Sequence, residues 1–290
     1  MISVMLGIFC LYGSLQVGYA EEDKAKESPG NPRESLINPE NSPWELRPSM
    51  ELGFVAPLAN RIVLGKEGSD FDYLTEGGED NLFRYQRYEI NFIHKHKHNL
   101  MMIFQPLDIT STDVLRKDTQ FDSVLFPKDT PMLFRYGFDF YRLTYAKNII
   151  RDEHKTISVG MAMQVRNATI DFRSQNGELQ NSSRDIGPVP LLYVAGNFET
   201  GTNIWFATEA TGSYAPIKYI NGASSDVVGA LLDASVRGGL HLKHKSDAYV
   251  NLRYIGGGAE GTDNTPDPGK DGYVENWLHF VSFSAGVRLR

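Results

Sequence analysis

The side chains that could do chemistry in this chain fall into a few clusters. His94, Lys95, His96, Lys97 and His98 set three imidazoles at alternating positions. On an extended strand such residues share a face, and neutral imidazole binds divalent metal. The run stands where a tight turn is expected, however, and Lys95 and Lys97 repel a cation. It therefore reads as a turn, and no metal site is assigned. His279 and Ser282 have the types of a base and a nucleophile, but three residues apart on a strand they point to opposite faces. Ser282 with His241 from another strand lacks a third group to orient the imidazole. There is no Gly-x-Ser-x-Gly, no His-Glu-x-x-His and no phosphate loop ending in Lys-Ser/Thr. Gly256, Gly257 and Gly258 lead into a loop of Pro, Asp and Gly, not into a helix whose N-terminus would hold an anion. No catalytic residue and no cofactor is assigned.

What remains is charge placed between apolar residues. Glu89, Arg135, Asp139, Arg166, Glu209, Asp233, Arg237, Arg253 and Arg288 fall on what reads as the inner face of their segments. Charges removed from water must be paired. The mixture of signs predicts an ion-pair network filling an interior.

The elements that position these charges have a period of two. Leu232, Ala234, Val236, Gly238, Leu240 and Leu242 alternate with Asp233, Ser235, Arg237, Gly239 and His241. Ile157 to Val165 alternates with Ser158 to Arg166, Phe134 to Phe140 with Arg135 to Tyr141, and Val281 to Leu289 with Ser282 to Arg288. Several runs reach the roughly nine to eleven residues that a tilted membrane strand needs. Segments begin near Trp44, Leu82, Asn99, Met132, Thr156, Val189, Asn203, Val227, Asp247 and Asn276, about ten strands, an even number. Short connectors (Lys95–His98, Lys147–Lys155, Glu199–Thr202, Lys243–Ser246) alternate with long ones (Pro57–Asn81, Thr110–Pro131, Arg173–Pro188, Pro216–Asp226, Ala259–Glu275). Short turns on one side and long loops on the other are the habit of an all-β, antiparallel, up-and-down transmembrane β-barrel. The short turns are basic and the long loops acidic, from Glu67, Asp70, Asp72, Glu76, Glu79 and Asp80 to Glu260, Asp263, Asp267, Asp271 and Glu275. Trp44, Phe83, Tyr85, Tyr145, Tyr193, Trp205, Tyr254 and Trp277 near strand ends are candidates for aromatic girdles. A barrel of about ten strands is only slightly wider than the eight-stranded kind that side chains fill, which argues against a wide pore.

Residues 1–20 have the apolar run and the small residues Gly18 and Ala20 of a cleaved signal peptide. Residues 21–43 are too polar to bury a core and read as a disordered leader, and 44–290 form the barrel domain. The single cysteine, Cys10, lies in the signal segment, so the mature chain has no thiols for disulfides, metal binding or catalysis. A net charge of -7 argues against nucleic acid as a partner.

Taken together, Trp44 to Arg290 resembles bacterial outer-membrane β-barrels as a class, and Arg184–Pro190 and Asn251–Thr262 are similar to segments of uncharacterised barrels of this kind. The resemblance implies residence in the bacterial outer membrane, contact with its lipid and lipopolysaccharide, and insertion by the barrel-assembly machinery. Ten-stranded outer-membrane proteases use paired carboxylates with an Asp-His couple, and no Asp-x-Asp is read at a strand exit. The favoured function is a non-enzymatic barrel that displays long acidic loops for an unidentified surface ligand, with a lumen filled by side chains. The alternatives are a lipid- or peptide-modifying enzyme and a narrow small-solute channel.

Overall fold

The computed structural model describes residues 42–201, 203–216, 226–263 and 270–290, without the side chains of Arg166, Asp185, Ala215 and Pro216. The expected signal peptide, all of the leader but Ser42 and Pro43, and parts of the last two long connectors lie outside the described residues. Pro43–Arg290 forms one compact unit.

The described elements are β1 (Trp44–Leu64), β2 (Phe71–Asp72), β3 (Phe83–His94), β4 (His98–Gln105), β5 (Asp108–Val114), β6 (Thr119–Phe121), β7 (Val124–Phe126), β8 (Pro131–Arg151), β9 (Lys155–Ser174), β10 (Gln180–Glu199), β11 (Ile204–Pro216), β12 (Val228–Leu242), β13 (Ser246–Thr262) and β14 (Tyr273–Leu289). Every wall strand pairs antiparallel with its neighbours, and β14 returns to β1 through Met50↔Val287 to Leu64↔Val274, closing the sheet. β4 and β5 both pair with β8 and are interrupted only at Pro106 and Leu107, so they act as one wall strand. The result is a closed antiparallel barrel of ten strands, as the alternating segments lead one to expect. Closure removes the sheet edges that would otherwise expose unpaired backbone.

At one rim the connections are tight. Lys95 and His96 (φ 49° and 53°), and His244 and Lys245 (φ 60° and 53°), all take the left-handed conformation. Positive φ at two central residues matches the twist of the strands they join. The basic runs are therefore hairpin turns, and both ends of the barrel wall, Trp44 and Leu289, lie at this turn rim.

The opposite, loop rim departs from the sequence reading. Arg173–Pro188 is not a long loop. β9 and β10 continue as a hairpin to Ser174 and Gln180, in register from Gln180↔Arg173 to Phe198↔Lys155. At about 3.3 Å per residue, a strand of 21 residues such as β8 spans roughly 70 Å, whereas roughly nine to eleven residues cross hydrocarbon. The wall therefore stands well beyond any apolar belt. The polar alternation of Asn167, Thr169 and Asp171 suits a strand in water as well as it suits a loop.

Candidate functional site

Two interiors fill the barrel. The first, in the half of the barrel nearer the turn rim, is polar. Glu51 on β1, Arg87 and Glu89 on β3, Arg142 on β8, Glu209 on β11, Asp233 and Arg237 on β12, and Arg253 on β13 point inward and are at most slightly exposed. Asp233 accepts from Arg142 Nη1 at 2.8 Å and is ion-paired with Arg253 Nη1. Glu209 accepts from Arg253 Nη2 at 2.8 Å and from Arg237 Nη2 at 3.0 Å, with Arg87 Nη2 at 3.5 Å. Glu51 accepts from Asn251 Nδ2 at 2.8 Å, from Tyr249 Oη at 3.2 Å and from Ser284 Oγ at 3.2 Å, and lies 3.5 Å from Arg237 Nε. Two glutamines complete the layer. Gln164 Oε1 accepts twice from Arg142, at 2.9 and 2.7 Å, and Gln105 Oε1 accepts from Arg87 at 3.0 Å. Four carboxylates face four guanidinium groups, so the cluster is neutral as a whole. Each charge has its opposite within reach, which is what makes burial of ions tolerable.

Rings fill the gaps. Gly239 and Gly286 face inward, and a Cβ at either would stand 2.4 Å from a ring atom, of Trp205 and of Tyr249 respectively. Glycine at these two positions is what lets the indole and the phenol lie flat against the wall.

A separate group closes the turn rim. His241 Nδ1 is 2.8 Å from Asp247 and its Nε2 is 2.8 Å from Glu199. Asp247 also accepts from Arg288 at 2.7 and 2.9 Å, and Arg288 lies over the Trp205 ring at 4.5 Å.

The second interior, at the loop rim, is apolar. Residues 65–82 and the β6–β7 hairpin fold into the mouth and bury Phe71, Tyr73, Phe121 and Phe126 against Phe134, Tyr136 and Phe172 of the wall. Phe121 and Phe172 stack with centroids 3.6 Å apart, and Phe71 packs on Phe134 at 5.1 Å. Backbone bonds fasten this cap to the rim, with Asp122 N–H donating to Leu64 C=O at 2.8 Å and Tyr73 N–H to Asn60 C=O at 2.9 Å. One acid is enclosed in it. Glu79 is fully buried and accepts from Asn60 Nδ2 at 2.9 Å. Burial, chiefly, with a smaller push from Asp72, raises its carboxyl to about 7 against the opposing Asn60 hydrogen bond.

The structure gathers Glu89, Glu209, Asp233, Arg237 and Arg253 into the lumen and sets Arg288 below them at the turn rim. Arg135 and Asp139 are corrections. Arg135 is half exposed on the outer face of β8, where it pairs with Asp108 at 2.9 Å. Asp139, also outward, accepts from Leu107 N–H at 3.2 Å. The inward set there is Phe134, Tyr136, Phe138 and Phe140, because this part of β8 encloses the cap. Arg166 pairs through its backbone with Phe140 and Gly187, and its side chain lies outside the described residues. Glu51, Arg87 and Arg142 were missed. Arg87 has the parity of Glu89 and could have been found; Arg142 has the parity opposite to that assumed for its strand.

The chemical candidates disperse. His94 lies against Trp44 with ring centroids 4.2 Å apart, His98 Nδ1 is 2.8 Å from Tyr145 Oη, and His96 turns toward Glu45. His279 Nδ1 is 2.6 Å from Tyr254 Oη on the outer wall, whereas Ser282 is buried on the inner side. His241 sits opposite Asp247, paired in turn with Arg288, six residues along β14 from Ser282. An Asp-x-Asp does stand at a strand: Asp70 and Asp72 flank Phe71. Asp70 is ion-paired with Arg61, and Asp72 accepts from Leu74 N–H at 2.9 Å. Of the expected girdle, Trp44 and Tyr145 are exposed on the outer wall, whereas Tyr85 and Trp205 are buried inside.

No protein-family model matches the chain, and no curated protein matches it. Among solved structures it is similar to the outer membrane protease OmpT of Escherichia coli, with 12% identity, 84% of this chain and 96% of that chain covered, and a TM-score of 0.51. At that identity the likeness concerns the fold alone. The toluene transporter TodX of Pseudomonas putida matches with 7% identity over 88% of this chain and 92% of its own, at a TM-score of 0.35. The attachment invasion locus protein Ail of Yersinia pestis matches with 12% identity over 84% and 99%, at 0.32.

Proposed function

We propose that this protein is a non-enzymatic barrel of the bacterial outer membrane, closed to solutes, whose loop rim is a rigid platform for binding at the cell surface. The observation that carries the reading is the lumen itself, where eight paired charges meet across the barrel under a packed aromatic cap. An interior spent on packing leaves the loop rim as the surface free for function. The outer wall supports the membrane setting. Leu52, Met161, Leu192, Val236 and Phe283 are exposed on different strands, as a lipid-facing belt requires. On this reading outer-membrane lipid and lipopolysaccharide surround the belt, the barrel-assembly machinery inserts it, and the turn rim with both barrel ends faces the periplasm. Part of the loop acidity is spent within the cap itself, since Glu76 pairs with Lys117 at 2.9 Å and Asp271 accepts from Lys66 N–H at 2.7 Å. The surface offered to a ligand is thus less acidic than composition implies.

Cysteines at Glu178, in the β9–β10 turn, and at Lys97, probed with an impermeant maleimide, test the placement. Glu178→Cys should label on intact cells and Lys97→Cys only after the outer membrane is opened. The reverse pattern inverts the orientation, and labelling of both in a soluble fraction ends the membrane reading. Mass spectra of lipid A from cells with and without the protein should be identical; a protein-dependent change would favour the enzyme instead.

A further inference from the structure

The belt is not uniform. Across β1, β14, β13, β12 and β11 the register sets outward side chains in rows. One row runs Leu52, Ala285, Val250, Gly238 and Phe206, and the row below it toward the turn rim sets Ala248 between Val287 and Leu240, so that small residues interleaved with these side chains form a low floor between Leu52 and Phe206. The next row, with Phe283 and Leu252, is bulky and closes the upper side. The depression encloses about 810 Å³, and its lining is almost wholly apolar. On the fourth side the next row is Leu289, Ser246 and Leu242, where the small Ser246 leaves a gap between the two leucines toward the β12–β13 turn. There Lys243, His244 and Lys245 are exposed, and neither lysine has an acidic partner among the described residues. Lys243 is three residues beyond Leu240, roughly 10 Å along the strand, and its flexible stem lets the ammonium reach the polar headgroup level.

We propose that this depression is a seat for one anionic phospholipid, its acyl chains lying on the small-residue floor and its phosphate held by Lys243 and Lys245. An acyl chain takes up a shallow apolar trough that flat packing against bulk lipid would leave poorly filled. Lysines just outside the hydrocarbon attract anionic headgroups. Neither feature alone selects a lipid. Their adjacency does, because the lysines stand one row beyond the shallow trough, past the gap at Ser246, within the length of one phospholipid. The assignment rests on the outer-membrane reading for its setting, with the turn rim in the inner leaflet.

The test is native mass spectrometry of the full chain, extracted in mild detergent and titrated with equal amounts of phosphatidylglycerol and phosphatidylethanolamine. The wild type should retain one phosphatidylglycerol in preference to phosphatidylethanolamine. Joint Lys243→Gln and Lys245→Gln substitution should reduce that preference roughly tenfold while leaving a lipid bound. Gly238→Leu should abolish retention; its added Cβ meets only the Phe206 ring, at 3.5 Å, so the barrel tolerates it. Ala234→Leu, on the same strand but above the trough, should change nothing. Equal retention of both lipids by the wild type, or retention indifferent to Gly238→Leu, overturns the seat. A dimer dispersed by Gly238→Leu would make the trough a contact between copies instead. Retention in detergent does not depend on which leaflet the turn rim occupies, so its failure is distinguishable from failure of the labelling test.

Discussion

The lumen and the cap are enclosed by the same ten strands, yet they are filled by opposite chemistry. In the lumen Arg142, Arg253 and Asp233 are buried as ions and made tolerable by mutual pairing. In the cap Phe71, Phe121, Phe134 and Phe172 are buried as rings and need no partner but each other. Outside, the polarity inverts at the same level, from apolar Leu143 and Val236 beside the lumen to the Arg135–Asp108 ion pair beside the cap. In the proposed membrane setting, lipid removes the contrast between apolar outside and apolar inside, so a polar lumen costs little there provided it is neutral. Beyond the lipid, water would restore the ordinary hydrophobic arrangement seen in the cap.

The contrast can be broken most sharply at Asp233. Asp233→Ala leaves the buried Arg142 without its acidic partner and takes one of two from Arg253, and should cost about 3–5 kcal/mol, read as a lowered urea midpoint for unfolding from lipid vesicles. A midpoint within error of wild type would mean that water reaches the network. On the outer wall at the lumen level, Val236→Arg should cost about 2–4 kcal/mol if that position faces mid-membrane. A neutral result would move the belt elsewhere.

The cap responds to pH where the lumen does not need to. Glu79 is raised from the usual carboxylate range to about 7, so the closed cap holds its proton more tightly than an opened one does. The sign follows. Below the ordinary range both states are protonated and the cap is at full strength. Closure weakens as pH rises through that range to about 7, and at pH 8 it should have lost about 3 kcal/mol. Proteolysis within residues 65–82 should therefore be faster at pH 8 than at pH 5, and Glu79→Gln should remove the difference. The smallest effect is expected at the half-exposed Arg135–Asp108 pair, where Arg135→Ala should cost about 0–1 kcal/mol by the same urea assay.

These two regions also explain how much was legible in the sequence. Strand number, closure and the basic turns could be read because a period of two is local and survives in either solvent. Which face turns inward could not be read from that period alone. In β12 the lone charges Asp233 and Arg237 among small and apolar residues mark the lumen correctly. In β8 the same reasoning picks Arg135 and Asp139 and fails, because the inner face changes along the strand from Arg142 of the polar lumen to Phe140, Phe138 and Tyr136 around the cap, while the outer face carries Arg135 there. The β1 register also shifts between Pro57 and Ala59, which brings Asn60 and Ile62 inward after Val55 and Pro57, a change of parity with no signature in composition. Glu79 was counted among the loop acids; its burial depends on β1 and on the ring cluster, contacts that no spacing within residues 65–82 announces.

Paired charges and packed rings that leave no path through the barrel should show in planar-bilayer recording of the full-length protein as no steady conductance in wild type at neutral pH. A persistent, ohmic open level in wild type would mean a path through the lumen and make the protein a channel.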